Sequence, residues 1–153
     1  MITIKNIGIM VLIAGLAISC NCKKKVTDTV DTEKVAMTNK VIVKPGYTGP
    51  KSNDAFTVDN ALIKGDKLVM YVTYGGGCKN HEFKAFASDV YMKSMPPKLG
   101  ITIEHNANQD MCKALVSDTL TFDISTVKYP GKDKDYTVVL NVNNWKGDLF
   151  YKY

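Results

Sequence analysis

The chain contains no arginine, so all 20 of its strong cations are lysines. Arginine is the side chain whose planar fork grips phosphates and base edges in pairs of hydrogen bonds, and no basic stripe with interleaved aromatics stands in for it. Nucleic-acid binding is excluded on that ground. The formal charge of +5 does not restore it, because the excess sits outside the body of the chain. From Lys51 to Tyr153 there are 13 Lys against 12 acidic residues, whereas Cys20 to Pro50 carries 6 Lys against 3 acids. Histidine and cysteine are scarce, with 2 and 4 copies in 153 residues. Long apolar runs are also missing. Ile7 to Ile18 spans 12 residues, well short of the ~20 that a membrane-crossing helix needs. No segment keeps a helical period, and there is no internal repeat.

What is present at the N-terminus reads as an address. Met1 to Ser19 has the layout of a signal peptide, with Lys5 ahead of the apolar run and small residues before Cys20. The stretch Leu16-Ala-Ile-Ser-Cys20 resembles a bacterial lipobox, although Leu16 stands four residues before the cysteine and Ala17 takes the usual leucine position. The resemblance implies that Cys20 becomes a lipid-modified N-terminus. Its diacylglycerol and palmitate-type chains would anchor the protein to a bacterial membrane, the outer one favoured over the inner, with the domain in the cell envelope. Firm anchoring takes more than one acyl chain. Two other readings are cleavage without lipidation, which frees a periplasmic protein, and an uncleaved anchor. Lys23, Lys24 and Lys25 follow at once, either facing anionic headgroups at about 1 kcal/mol each or simply solubilising the chain. Cys22 has no assigned role. Residues 20–50 are rich in Thr, Asp, Lys, Asn, Gly and Pro, and Lys44-Pro-Gly-Tyr-Thr-Gly-Pro50 is dense with breakers. They read as a disordered tether ahead of one domain at 51–153.

Within 51–153 the hydrophobic period is two. Phe56 to Ile63 is a strand, Lys64 to Lys67 a turn, and Leu68, Met70, Val72 and Tyr74 share one face of the next strand, which Gly75-Gly76-Gly77 should break. His81, Phe83, Ala85 and Ala87 follow on a third, and Leu99, Ile101, Ile103 and His105 on a fourth. Val116, Asp118, Leu120, Phe122 and Ile124 make a fifth, Tyr136 to Val142 a sixth, and Asp148 to Tyr153 a seventh. Ala107 to Leu115 leaves room for one helical turn. About seven short strands separated by regular turn signals predict an all-β, antiparallel sandwich, with a barrel as its variant.

Reactive side chains concentrate in two places, Cys78-Lys-Asn-His81 and His105-Asn-Ala-Asn-Gln-Asp-Met-Cys112. Both histidines continue the apolar face of a strand and should point inward, and the glycine triplet allows a close backbone approach beside Cys78. Three readings stand. A Cys78–Cys112 disulfide fits an exported domain and would stabilise it by roughly 4 kcal/mol. A metal site of Cys78, His81, His105 and Cys112 fits zinc, with copper as the other candidate cofactor; Glu104, Asp110 and Asp118 are the carboxylates able to support it. A cysteine-dependent enzyme would use Cys78 as nucleophile, His81 or His105 as base, and Glu104 or Asp110 to orient it, but it requires Cys112 to stay reduced nearby. Each histidine alone is also explained as a satisfied core residue. Asp118 interrupts an apolar face, so it either meets the histidines or is turned outward by a bulge. The disulfide reading is preferred. It makes the protein non-enzymatic and free of cofactor, with a protein or small-molecule partner and an oligomeric state that the residues do not name.

Tyr74-Gly-Gly-Gly-Cys-Lys-Asn-His-Glu-Phe83, Glu104-His-Asn-Ala-Asn-Gln-Asp-Met-Cys112 and Leu120-Thr-Phe-Asp-Ile124 are similar to the C-terminal β-sandwich of NigD-like lipoproteins from Bacteroidetes-type bacteria. The resemblance implies a sandwich in the envelope and no enzyme activity. Those proteins carry a further small barrel before the sandwich, for which this chain has no room.

Overall fold

A computed structural model describes residues 39–50 and 52–153. The readings of residues 1–19 as signal peptide, of Cys20 and Cys22, and of the tether as far as residue 38 lie outside the described residues.

In chain order the strands are β1 (Asn39–Lys40), β2 (Ile42–Val43), β3 (Thr57–Lys64), β4 (Lys67–Gly76), β5 (Glu82–Ala87), β6 (Lys98–Asn106), β7 (Ala114–Asp123), β8 (Thr137–Val142) and β9 (Leu149–Lys152). Alternation of period two becomes strand from β3 to β9. A 3-10 turn, Ser125–Val127, precedes β8. They form a four-stranded sheet of order β1-β7-β4-β3 and a five-stranded sheet of order β2-β5-β6-β8-β9. β3 and β4 make a hairpin whose tip is Gly65-Asp66, with Gly65 at φ +56° in the left-handed region a tight hairpin turn requires. β7 pairs with β4 over the whole of both strands, from Lys67 opposite Asp123 to Gly76 opposite Ala114.

Four expectations are corrected. The sheets are mixed rather than antiparallel, because β1–β7, β2–β5 and β6–β8 run parallel. Parallel neighbours need a crossover, and here β7, in the other sheet, supplies the crossover between β6 and β8. Second, strand pairing is already present ahead of Lys51. Asn39-Lys40 pairs with β7 and Ile42-Val43 with β5, so one short extended segment passes from sheet to sheet. Val41 lies between the two halves, 2 % exposed; its N–H donates to the Asp123 carbonyl at 2.9 Å and its carbonyl accepts from the Thr126 hydroxyl at 2.9 Å. Third, the glycine triplet does not end β4 at Tyr74, since pairing with β7 continues through Gly76. Fourth, residues 107–115 hold no helix. Asp110 N–H closes a turn onto the Ala107 carbonyl at 3.0 Å, and β7 starts at Ala114. Among the described residues no helix is long and apolar enough to cross a membrane.

The inward faces of both sheets merge into one apolar core. Leu68, Met70 and Val72 from β4 and Phe122 from β7 meet Ile101 and Ile103 from β6, Leu140 from β8 and Tyr151 from β9. Among the described residues His105 is the one polar or charged residue buried as a whole, backbone and side chain together. A polar group taken out of water must find partners, and those partners form the candidate site.

Candidate functional site

The strand registers bring the four sequence-predicted side chains to one end of the domain. The β4–β7 ladder closes with Gly76 opposite Ala114, so Cys78 and Cys112 emerge side by side just beyond it. They form a disulfide, with Cα atoms 5.9 Å apart and a sequence separation of 34. The β5–β6 ladder sets Phe83 opposite His105 and Glu82 opposite Asn106. His81, immediately before β5, therefore lies against the end of β6. Its Nδ1 is 2.7 Å from His105 Nε2.

Aromatic rings enclose the pair. Tyr74 stacks on His81 with centroids 4.5 Å apart and Phe83 stacks on His105 at 4.3 Å, while Phe56 meets His105 edge-on at 5.8 Å. Gly76 completes the wall. A Cβ there would stand 2.5 Å from His81 Nε2 and 3.0 Å from Asp110 Oδ2, and its φ of +150° is one that side-chain-bearing residues rarely adopt. The glycine triplet thus admits a close approach, but to His81 rather than to Cys78.

Asp110 is the polar centre. Its Oδ2 accepts N–H bonds from Cys78 at 2.8 Å and Lys79 at 2.9 Å and lies 3.3 Å from His81 Nε2, while its Oδ1 accepts from Cys112 N–H at 2.9 Å. The Asp110 and His81 side chains are 1 % and 2 % exposed. The Cys112 N–H, then those of Lys79 and Cys78 and the His81 ring, hold the Asp110 carboxyl well below the usual carboxylate range against the opposing effect of burial. One carboxylate therefore ties together the same two loops that the disulfide joins. Lys79 adds to the clasp, its ammonium donating to the carbonyls of Asn108 at 2.9 Å and Gln109 at 3.0 Å. Asn108 and Gln109 take positive φ to turn those carbonyls toward it.

His105 is gripped from the other side by the segment preceding β3. Its N–H donates to the Asn53 side-chain oxygen, its carbonyl accepts from Asp54 N–H at 3.0 Å, and its Nδ1 faces the Asp54 carbonyl at 3.2 Å. Burial pushes the His105 ring below its ordinary pKa, opposed by its bond to Asp54 and reinforced by the charge of His81. A cleft of about 300 Å³ opens beside it, lined by Asp54, Glu82, Lys84, Glu104 and His105 among others.

The arrangement narrows the chemistry. The sulfurs are bonded to each other, so neither is a thiolate for a metal or a nucleophile. The imidazoles are hydrogen-bonded to each other rather than turned toward one shared point. The carboxylates separate into different roles. Asp110 is central. Glu104 accepts from the Tyr47 hydroxyl, which burial and then Glu104 push above its ordinary pKa. Asp118 neither sits on a bulge nor bonds the histidines: the β7 register is unbroken there, and its charge acts on Tyr74, whose hydroxyl is raised first by burial and then by Asp118. Sequence reasoning missed Asn53 and Asp54, whose contacts depend on a turnless segment folding back along β6. It placed Tyr74 on the correct face without seeing that the ring covers both histidines.

No family model matches the sequence, and comparison with curated proteins finds no match. Solved structures do match. A NigD-like immunity protein from Bacteroides caccae superposes with a TM-score of 0.50 at 14 % identity, over 68 % of this chain and 52 % of that one. A protein of unknown function, DUF1344, from Bacteroides vulgatus superposes with a TM-score of 0.51 at 11 % identity, over 77 % and 57 %. A putative toxin-related protein from Parabacteroides distasonis gives 0.48 at 20 % identity, over 76 % and 60 %. The chain thus spans between about half and three fifths of the length of the structures it matches. The matches at TM-scores of 0.50 and 0.51 bear on fold, and the fold of this chain is NigD-like.

Proposed function

We propose that the chain is a non-enzymatic, lipid-anchored protein of the bacterial envelope that works by binding, through a β-sandwich whose two layers are the two mixed sheets. The observation that carries this reading is the Cys78–Cys112 disulfide. A disulfide persists in oxidising compartments outside the cytoplasm, which supports export. It also occupies both thiols of the one cluster where reactive groups meet, and His81 and His105 are occupied by each other, Asp110 and Asp54. That leaves the site without an activated nucleophile, which a thiol enzyme needs. Zinc or copper at Cys78, His81, His105 and Cys112 would first require the disulfide to be reduced and the histidine pair to be parted. The Bacteroides caccae structure is described as an immunity protein; carried to this chain, that description makes a protein the class of partner to test.

Membrane fractionation with labelled palmitate tests the anchor. The full chain should take up label and sediment with membranes, and Cys20→Ser should lose the label and turn soluble; a Cys20→Ser chain that stays on membranes overturns the assignment. Intact mass of the exported protein tests the rest, with a deficit of two hydrogens expected. A reduced protein carrying one equivalent of zinc or copper would favour the metal reading instead.

A further inference from the structure

The hydrogen-bond chain through the histidines runs between two ends that can only accept. One end is the Asp54 carbonyl, 3.2 Å from His105 Nδ1, and the other is the Asp110 carboxylate, 3.3 Å from His81 Nε2. The middle link joins His105 Nε2 to His81 Nδ1 at 2.7 Å. Two neutral imidazoles carry one ring proton each. If both protons point toward the Asp54 end, His81 Nε2 turns a lone pair on the Asp110 carboxylate. If both point toward Asp110, His105 Nδ1 turns a lone pair on the Asp54 carbonyl. If they point outward, the middle link has no proton. Three contacts joining four groups need three protons.

We infer that the His81–His105 pair is a buried proton-binding site, holding three ring protons rather than two and setting the resulting positive charge against Asp110. A buried charge survives only when paired, and the carboxylate that pairs with this one is already fixed by three backbone N–H groups. Every ionisable group packed around the rings is accounted for. Tyr74 from β4 covers both rings and is neutral, its hydroxyl held protonated by burial and by Asp118 of β7. Asp54, ahead of β3, spends a carboxylate oxygen on the Ala107 N–H at 2.6 Å. Glu82 of β5 is within 3.6 Å of the Lys84 ammonium, Glu104 of β6 is engaged by Tyr47, and Lys79 is engaged by carbonyls. Among these groups Asp110 is the one whose carboxylate oxygen lies within hydrogen-bond distance of a ring nitrogen. The cleft beside His105 gives the proton a path to water.

The site couples ambient pH to the order of the disulfide-bearing loops. Loss of the third proton sets two acceptors against each other in one of the three contacts, and the residue-77 and residue-110 loops lose part of their clasp. A fourth proton is resisted by the burial of His105.

Imidazole nitrogen NMR on the oxidised, uniformly ¹⁵N-labelled chain counts the protons directly. At about pH 7.5 a free imidazole is deprotonated by roughly 10 to 1. In this protein the third ring proton should be present in half or more of the molecules at that pH, with one ring protonated on both nitrogens. Occupancy below half overturns the inference. In Asp110→Asn the ratio of molecules with the third proton to those without it should drop by about 5-fold or more, toward the value for two free rings, while an unchanged ratio overturns the pairing of the charge with Asp110. Should Asp110→Asn not fold, the wild-type measurement decides alone.

Discussion

Replacing Cys78 and Cys112 together by serine removes the one covalent cross-link among the described residues. The magnitude follows from the closed loop. A separation of 34 positions corresponds to about 4 kcal/mol of unfolded-state entropy at 25 °C in the chain-entropy treatment. The native geometry should change little, because Asp110 accepts N–H bonds from Cys78, Lys79 and Cys112 and holds the same two loops. The loss therefore arises in the unfolded chain, not in the folded one. For a domain of this size 4 kcal/mol lowers the melting temperature by about 15 °C. Urea unfolding of the oxidised wild type and of the double variant, followed by circular dichroism, reads the difference. The two single variants should each cost as much as the double, since either breaks the same bond and the effects do not add. A double-variant loss below about 1 kcal/mol refutes the reasoning, because that is far under the loop-closure value. So do single variants that add to the double.

Three further outcomes follow from other contacts. Gly76→Ala should destabilise by about 2 kcal/mol or more, combining an unfavourable φ with a Cβ driven into His81; thermal unfolding that matches the wild type would show that the ring moves aside freely. His105 is held below its ordinary pKa, so the folded state takes up fewer protons than the unfolded one as pH falls below about 6.5, and stability drops there. Denaturation at about pH 7 and about pH 5 should show a smaller acid loss in His105→Gln than in wild type, and an equal loss in both would contradict this. Tyr151 is fully buried and donates to Asp66 Oδ1 at 2.6 Å, so Tyr151→Phe should cost about 1–2 kcal/mol by leaving that contact unmade. Burial, then Asp66, push its hydroxyl upward, so wild-type stability falls as pH rises past the unfolded value near 10, and the phenylalanine variant should lose less over that range.

The amino-acid sequence by itself determined the strands β3 to β9 and the inward residues on each, such as Leu68, Met70 and Val72 or Leu99, Ile101 and Ile103. Side chains alternate across a strand, so one buried face writes itself into a local pattern. It also determined where chemistry could lie, since two cysteines and two histidines in two short segments leave few alternatives. Neighbour choice and direction were decided only in three dimensions. Nothing near Lys98 or Thr137 encodes that β6 and β8 run parallel, because that depends on β7 crossing to the other sheet. β1 and β2 are two residues each, too short for any period to show, and their order comes from burying Val41 between the sheets. Tertiary structure also paired Cys78 with Cys112 by bringing the two sulfurs to bonding contact. It ranked the carboxylates as well. Asp110, Glu104 and Asp118 look alike in sequence, but only Asp110 lies in a loop whose fold points several backbone N–H groups at one side chain.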